Sequence, residues 1–282
     1  MSETNIVLTK EFKEAVINLL FQLADDDFLF SYRGSEWLGL APHIEEDIAY
    51  SSITQDSMGH ATMYYQLLEK LGLGNADHLA HLRPAVERKN SILVERPNGE
   101  GYYMDVVKQN NDGTHMEVPH YDWAFTVVRN YFYTSAKKVK IDSLKNSSYQ
   151  PLAEAVVKVN TELYYHLLHW KTWFVQLLNS TDEAKQRMQE AIEKVTTDFA
   201  DVFSLGKEAD KLTELGLIES ERVLISRWQE QLEPVFKSLQ LAVPEVPNTQ
   251  PLNGRNGEHT EDLQTAIDTL SEVLRIDTAV AW

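Results

Sequence analysis

Two pairs of side chains in this 282-residue sequence have the types and spacing for metal chemistry: Asp56 with His60, and Glu162 with His166. Four residues is about one helical turn, so on a helix each pair shares a face. A carboxylate and an imidazole turned into a bundle are parts of a di-iron carboxylate centre. There, two helices each give a Glu and two each give Glu-x-x-His. Neither pair has that i,i+3 spacing. The residue three before His60 is Ser57, and the one three before His166 is Leu163. A serine hydroxyl cannot bridge two irons as a carboxylate does, and Leu has no oxygen to offer. Both motifs therefore look like metal sites that have lost a central Glu. The plain expectation is that Asp56–His60 and Glu162–His166 hydrogen-bond within their own helices in a partly polar core. The alternative is a self-sufficient di-iron oxygenase or ferroxidase using Asp56, His60, Glu162 and His166 with another bundle carboxylate. Asp25-Asp26-Asp27 is near enough to supply one, although such a run reads more simply as a solvated patch near a helix end.

These residues need long helices to hold them. From Ser31 a loop leads to Ala41-Pro42, after which a helix-compatible pattern runs to about Leu71, with Pro42 as its first helical residue. Glu45, Glu46 and Asp47 suit the positive end of that helix. On its wheel Ile48, Ser52, Asp56, Met63 and Leu67 share the side assigned to the core. A first helix is predicted over Thr9–Phe30, with Val16, Leu19, Leu20 and Leu23 inward. A third covers Asp122–Ile141, and a fourth begins at Pro151 with the most regular stripe, from Leu152 through Val159, Leu163 and Trp170 to Leu177. Ser180 with Glu183 reads as a capping box for a fifth helix. Ser220 begins a sixth, bent or stopped near Pro234, and Thr260 caps a last one ending near Ile276. Asp77–Glu87 suggests a short helix, and Leu93-Val94 a strand-like or buried piece before the turn Pro97-Asn98-Gly99. Residues 101–121 read as an inserted loop or hairpin, in which His115 and His120 have no helical pairing. Residues 241–259 read as a linker before the last helix. The sequence thus predicts one all-α domain over 1–282, a long-helix bundle with extra C-terminal helices.

Composition excludes several classes. Twenty-six basic residues against 43 acidic ones give a net charge of −17, which disfavours nucleic acid or an anionic membrane as partner. Without cysteine there is no disulfide, thiolate metal site or cysteine nucleophile. No apolar run approaches the roughly 18 residues of a membrane span, and MSETNIVLTKEF lacks a secretory pattern. The expected location is cytoplasmic.

Arg33, Glu36 and Trp37 fit either an anchored inter-helix loop or a partner interface, where Arg and Trp are enriched. They also carry a resemblance. Ser31-x-Arg33-x-Ser35-Glu36-Trp37-x-Gly39-x-Ala41-Pro42-x-x-Glu45-Glu46-Asp47, followed by Asp56-x-x-Gly59, resembles the C subunits of bacterial phenylacetyl-CoA 1,2-epoxidases. So do Arg88-x-Asn90, Leu93-Val94-Glu95-x-Pro97-Asn98-Gly99, Tyr165-His166-Leu167, Arg187-Met188-Gln189 and Gly257-x-His259-Thr260-Glu261. The resemblance implies a ferritin-like fold and a place in aerobic phenylacetate catabolism. It also implies pairing with a homologous A subunit that carries the di-iron centre, alongside further subunits including a reductase. In that light this chain has no catalytic residue and no cofactor of its own. Asp56, His60, Glu162 and His166 are a degenerate site, and Arg33, Glu36, Trp37, Glu95 and Asn98 are structural or interface residues. Residues 101–121 are longer than the family's usual link.

Overall fold

The computed structural model describes residues 9–99 and 121–278. The described residues form eleven α-helices and no strand. Four are long: α1 (Lys10–Ser35), α2 (Ile44–Lys70), α5 (Trp123–Leu144) and α6 (Gln150–Leu178). Short helices α3 (Ala76–His81) and α4 (Ile92–Glu95) lie between α2 and α5. After α6 come α7 (Asp182–Thr197), α8 (Ala200–Phe203), α9 (Ala209–Glu214), α10 (Glu221–Ser238) and α11 (Glu261–Ile276).

Contacts between the long helices fix their directions. Ser31 bonds the Thr54 carbonyl and Asp25 meets Tyr65, so α1 and α2 are antiparallel. Trp37 reaches Thr126 and Asp27 reaches Lys137, so α1 and α5 are antiparallel too. Glu46 meets Trp173 and His60 meets Glu162, which sets α6 against α2. The apolar positions behave as their spacing predicts: Val16, Leu19, Leu20, Leu152, Val156, Val159, Leu163, Trp170 and Phe174 are all buried. Thr9 caps α1 and Asp122 caps α5 through their side-chain oxygens. Helix α5 is buried on nearly every side and forms the axis of the molecule, with α10 packed on it through Trp228.

Several boundaries and one helix phase differ from expectation. Helix α1 continues to Ser35, so Arg33 is helical and only residues 36–43 form the loop. The N-cap of α2 is His43, which leaves Pro42 just outside the helix. Ile48 is exposed, whereas Tyr50, Ile53, Ser57, His60, Tyr64 and Tyr65 face inward. The expected phase fails because the buried side of α2 is aromatic and polar, and apolarity alone does not mark it. Leu93 and Val94 are buried, but in a single helical turn. Thr181, not Ser180, caps α7, and α10 passes through Pro234 to end at Ser238. The expectations for residues 101–121, His115 and His120 included, lie outside the described residues except Tyr121, which bridges Gly99. Among the described residues no helix is long and apolar enough to cross a membrane.

Candidate functional site

At mid-height the four long helices turn polar side chains toward one another. Helix α1 brings Asp27, α2 brings Asp56 and His60, α5 brings Lys137, and α6 brings Glu162 and His166. The pairing differs from the one expected within each helix. His60 Nε2 lies 2.6 Å from Glu162 Oε2, and His166 Nε2 lies 3.0 Å from Asp56 Oδ2. Each imidazole thus pairs with a carboxylate of the opposite helix. Helices α2 and α6 run antiparallel, so the turn that bears His60 lies opposite Glu162 and the turn that bears Asp56 lies opposite His166. The rings of His60 and His166 sit 6.2 Å apart, centroid to centroid.

The other side of His60 holds the deciding residue. Lys137 Nζ is 2.9 Å from His60 Nδ1 and 2.6 Å from Asp27 Oδ1. An ammonium only donates, so His60 Nδ1 accepts and the ring proton resides on Nε2, where it is donated to Glu162. Burial, reinforced by the Lys137 charge, holds His60 well below the ordinary histidine range and so neutral. Burial also lowers His166, partly offset by Asp56. Asp27 is pushed up to about 6 by burial, against the pull of Lys137. A small cavity beside the ammonium is lined by Asp26, Asp27, Tyr64, Tyr133, Lys137 and Lys140.

This arrangement does not fit a di-iron centre. The ammonium fills the space between α1, α2 and α5 where a cation would meet Asp27 and His60. Ser57 is turned back onto the Ile53 carbonyl at 2.9 Å, and Leu163 is part of the core. Among the described residues no three His, Asp or Glu side chains converge as metal ligands would. The cluster can hold charge and fix helix register; it offers no open coordination position.

Arg33, Glu36, Trp37, Glu95 and Asn98 meet in a second polar centre at one end of α1. The Arg33 guanidinium donates to the Glu95 carbonyl from Nε and Nη2, at 3.0 and 2.6 Å, and to Glu36 Oε1 at 2.8 Å. Asn98 Nδ2 donates to the Arg33 carbonyl at 2.8 Å and to Glu36 Oε2 at 2.7 Å, while Arg129 donates to Asn98 Oδ1. The wholly buried Glu95 carboxylate accepts from Asn90, His259 and both the backbone N–H and hydroxyl of Thr260. Trp37 is 2% exposed and donates to Thr126 Oγ1 at 3.1 Å, as the anchored-loop alternative expects. Its ring packs on Tyr121 and Trp123. Leu38 is the exposed large apolar residue of this loop.

The aspartate run also differs from expectation: Asp25, Asp26 and Asp27 are all buried. Each has a cationic partner, Asp25 in Arg83 and Arg88, Asp26 in Arg255, Asp27 in Lys137. Spacing could not name those partners, because Arg255 arrives from 229 residues along the chain. A weak signal for Lys137 did exist. It lies four from Tyr133 and four from Ile141, on the inward face of α5.

The family described as Phenylacetic acid catabolic protein matches residues 1–282. A relative from Escherichia coli (strain K12), the C subunit of 1,2-phenylacetyl-CoA epoxidase, is 29% identical over 264 residues, covering 93% of this chain and 96% of its own length. With a match along its whole length, the chain belongs to the phenylacetic acid catabolic protein family.

Proposed function

We propose that this chain is the C-type subunit of a phenylacetyl-CoA 1,2-epoxidase. It supports a homologous di-iron catalytic subunit and performs no oxygen chemistry itself. The observation that carries this reading is the Lys137 ammonium, held between Asp27 and His60 where a metal centre needs carboxylate oxygen. The Escherichia coli relative, similar over nearly its whole length, supports the assignment as a C-type subunit. Such a chain keeps its long helices to present a surface. Ile44 and Ile48 on α2, Tyr164, Tyr165 and Leu168 on α6, and Leu38 of the preceding loop are all exposed. Ile48 and Leu168 flank the seam at which Glu46 meets His169 and Asp56 meets His166. This side is the surface offered to the catalytic subunit; obligate contacts of that kind commonly bury about 2,000 Å² or more.

The test is co-expression with the A-type subunit. The two chains are expected to co-elute, and Tyr165→Asp with Leu168→Asp to separate them while circular dichroism stays unchanged. The isolated chain, reconstituted anaerobically with iron, is expected to hold well under one iron per chain and to turn over no acyl-CoA. Two irons per chain with the absorption of an oxo-bridged pair would instead establish the self-sufficient oxygenase or ferroxidase built on Asp56, His60, Glu162 and His166.

A further inference from the structure

Lys137 has the neighbours of a metal ion. Its Nζ is approached by one carboxylate oxygen, Asp27 Oδ1 at 2.6 Å, and by one imidazole nitrogen, His60 Nδ1 at 2.9 Å. His60 is already arranged as a metal-binding histidine. The nitrogen facing Lys137 carries a lone pair, and the opposite nitrogen donates to a carboxylate, Glu162, at 2.6 Å. That outer carboxylate is the usual device by which a ligating histidine is oriented and made more basic. Lys137, Asp27 and His60 are all buried, so water screens none of this.

We propose that the Lys137 ammonium is a tethered replacement for a divalent transition-metal ion, and that it alone keeps Asp27 and His60 from binding one. The inference rests on the metal-free role proposed above and adds its cause. A glutamate at position 137 is one bond shorter than lysine. Its carboxylate oxygen falls near the lysine Cε and vacates the Nζ position, about 1.5 Å farther on. A metal there would need ligands at about 2.0–2.2 Å, so Asp27, at 2.6 Å from Nζ, needs to close in by about 0.5 Å and His60, at 2.9 Å, by about 0.8 Å. The result is a three-ligand N/O site with room for solvent, suited to Co(II), Zn(II) or Fe(II). The small cavity beside Lys137 supplies that room.

The experiment compares the full-length parent chain with Lys137→Glu, Lys137→Ala and the double variant Lys137→Glu/His60→Ala, each dialysed against Co(II). The readouts are metal content, visible absorption and melting temperature. The parent is expected to retain less than about a tenth of an equivalent. Lys137→Glu is expected to bind about one Co(II) with d–d bands, to melt lower than the parent without metal, and to regain several degrees with cobalt. Lys137→Ala is expected to gain a smaller cobalt-dependent shift, and the double variant none. If neither single variant acquires cobalt, whether it folds or precipitates with and without the ion, the proposal is overturned. Stoichiometric cobalt in the parent itself would overturn the metal-free role instead, so the two failures are distinguishable.

Discussion

Three consecutive aspartates on α1 enter two polar centres of opposite character. Successive helical residues are about 100° apart, so Asp25, Asp26 and Asp27 diverge. Asp25 receives Arg83 and Arg88, the Tyr65 hydroxyl at 2.5 Å and the Lys89 N–H at 2.8 Å. Asp26 receives both terminal nitrogens of Arg255, at 2.8 and 2.7 Å, and the Ser91 N–H at 2.7 Å. Asp27 has one strong partner, the Lys137 ammonium. Electrostatics follow the partners. Burial pushes Asp25 up, but Arg83 and Arg88 outweigh it and the carboxyl lies below its ordinary range. For Asp27 burial wins, and the group is held at about 6. A rigid guanidinium fork with backbone N–H groups satisfies a buried carboxylate; one ammonium shared with an imidazole does not. The arginine centre is a fastener, and the lysine centre is held by a single shared ammonium.

The sharpest way to break this contrast is to strip the fastener. Asp26→Ala strands the Arg255 guanidinium in the core and is expected to cost about 3–5 kcal/mol in denaturant unfolding. A loss below about 1 kcal/mol would show that the Arg255 segment is dispensable. Trp37→Ala should be comparably severe, about 3–5 kcal/mol, since the ring is core and its Thr126 partner is left unpaired. Gly254→Ala comes next. A Cβ there would lie 1.8 Å from the Asn90 carbonyl oxygen, so the Arg255 turn must withdraw, at about 1–3 kcal/mol. In the lysine centre the effects shrink. His166→Gln should cost about 1 kcal/mol, because the Asp56 side chain it abandons is 38% exposed and recovers water.

The smallest effect is the most diagnostic, because it has a sign. The Asp27 carboxyl is raised in the folded chain, from an ordinary 3.8 to about 6. The folded state therefore binds more protons than the unfolded one between those values. Its contribution to stability is full below about 4 and is lost as pH rises through 6. Asp25, lowered on folding, contributes in the opposite sense, above its ordinary value and progressively less in acid. Asp27→Asn should accordingly flatten the decline in melting temperature between pH 4 and 6 and leave the acid limb unchanged. A parallel displacement of the whole profile would mean that Asp27 is as well satisfied as its two neighbours.

Periodicity alone determined the long helices. The stripes of α1 and α6 could be read because apolar residues at steps of three and four have one low-energy arrangement, inward. That Ser57 and Leu163, not glutamates, stand three before His60 and His166 was equally plain, being a matter of residue type and spacing. The phase of α2 was not legible, since its inner face is built from His60, Tyr64 and Tyr65, and it is their partners that make it inner. The same holds for the polar centres. Spacing joined Asp56 to His60 and Glu162 to His166 along each helix; packing joined them across the seam, because facing side chains compete with same-helix neighbours and the short α2–α6 gap favoured the former. Nothing local could bring Lys137 to Asp27, or Arg255 to Asp26 from 229 residues away. A buried charge is stable only beside its counter-charge, and which counter-charge arrives is decided by the tertiary fold.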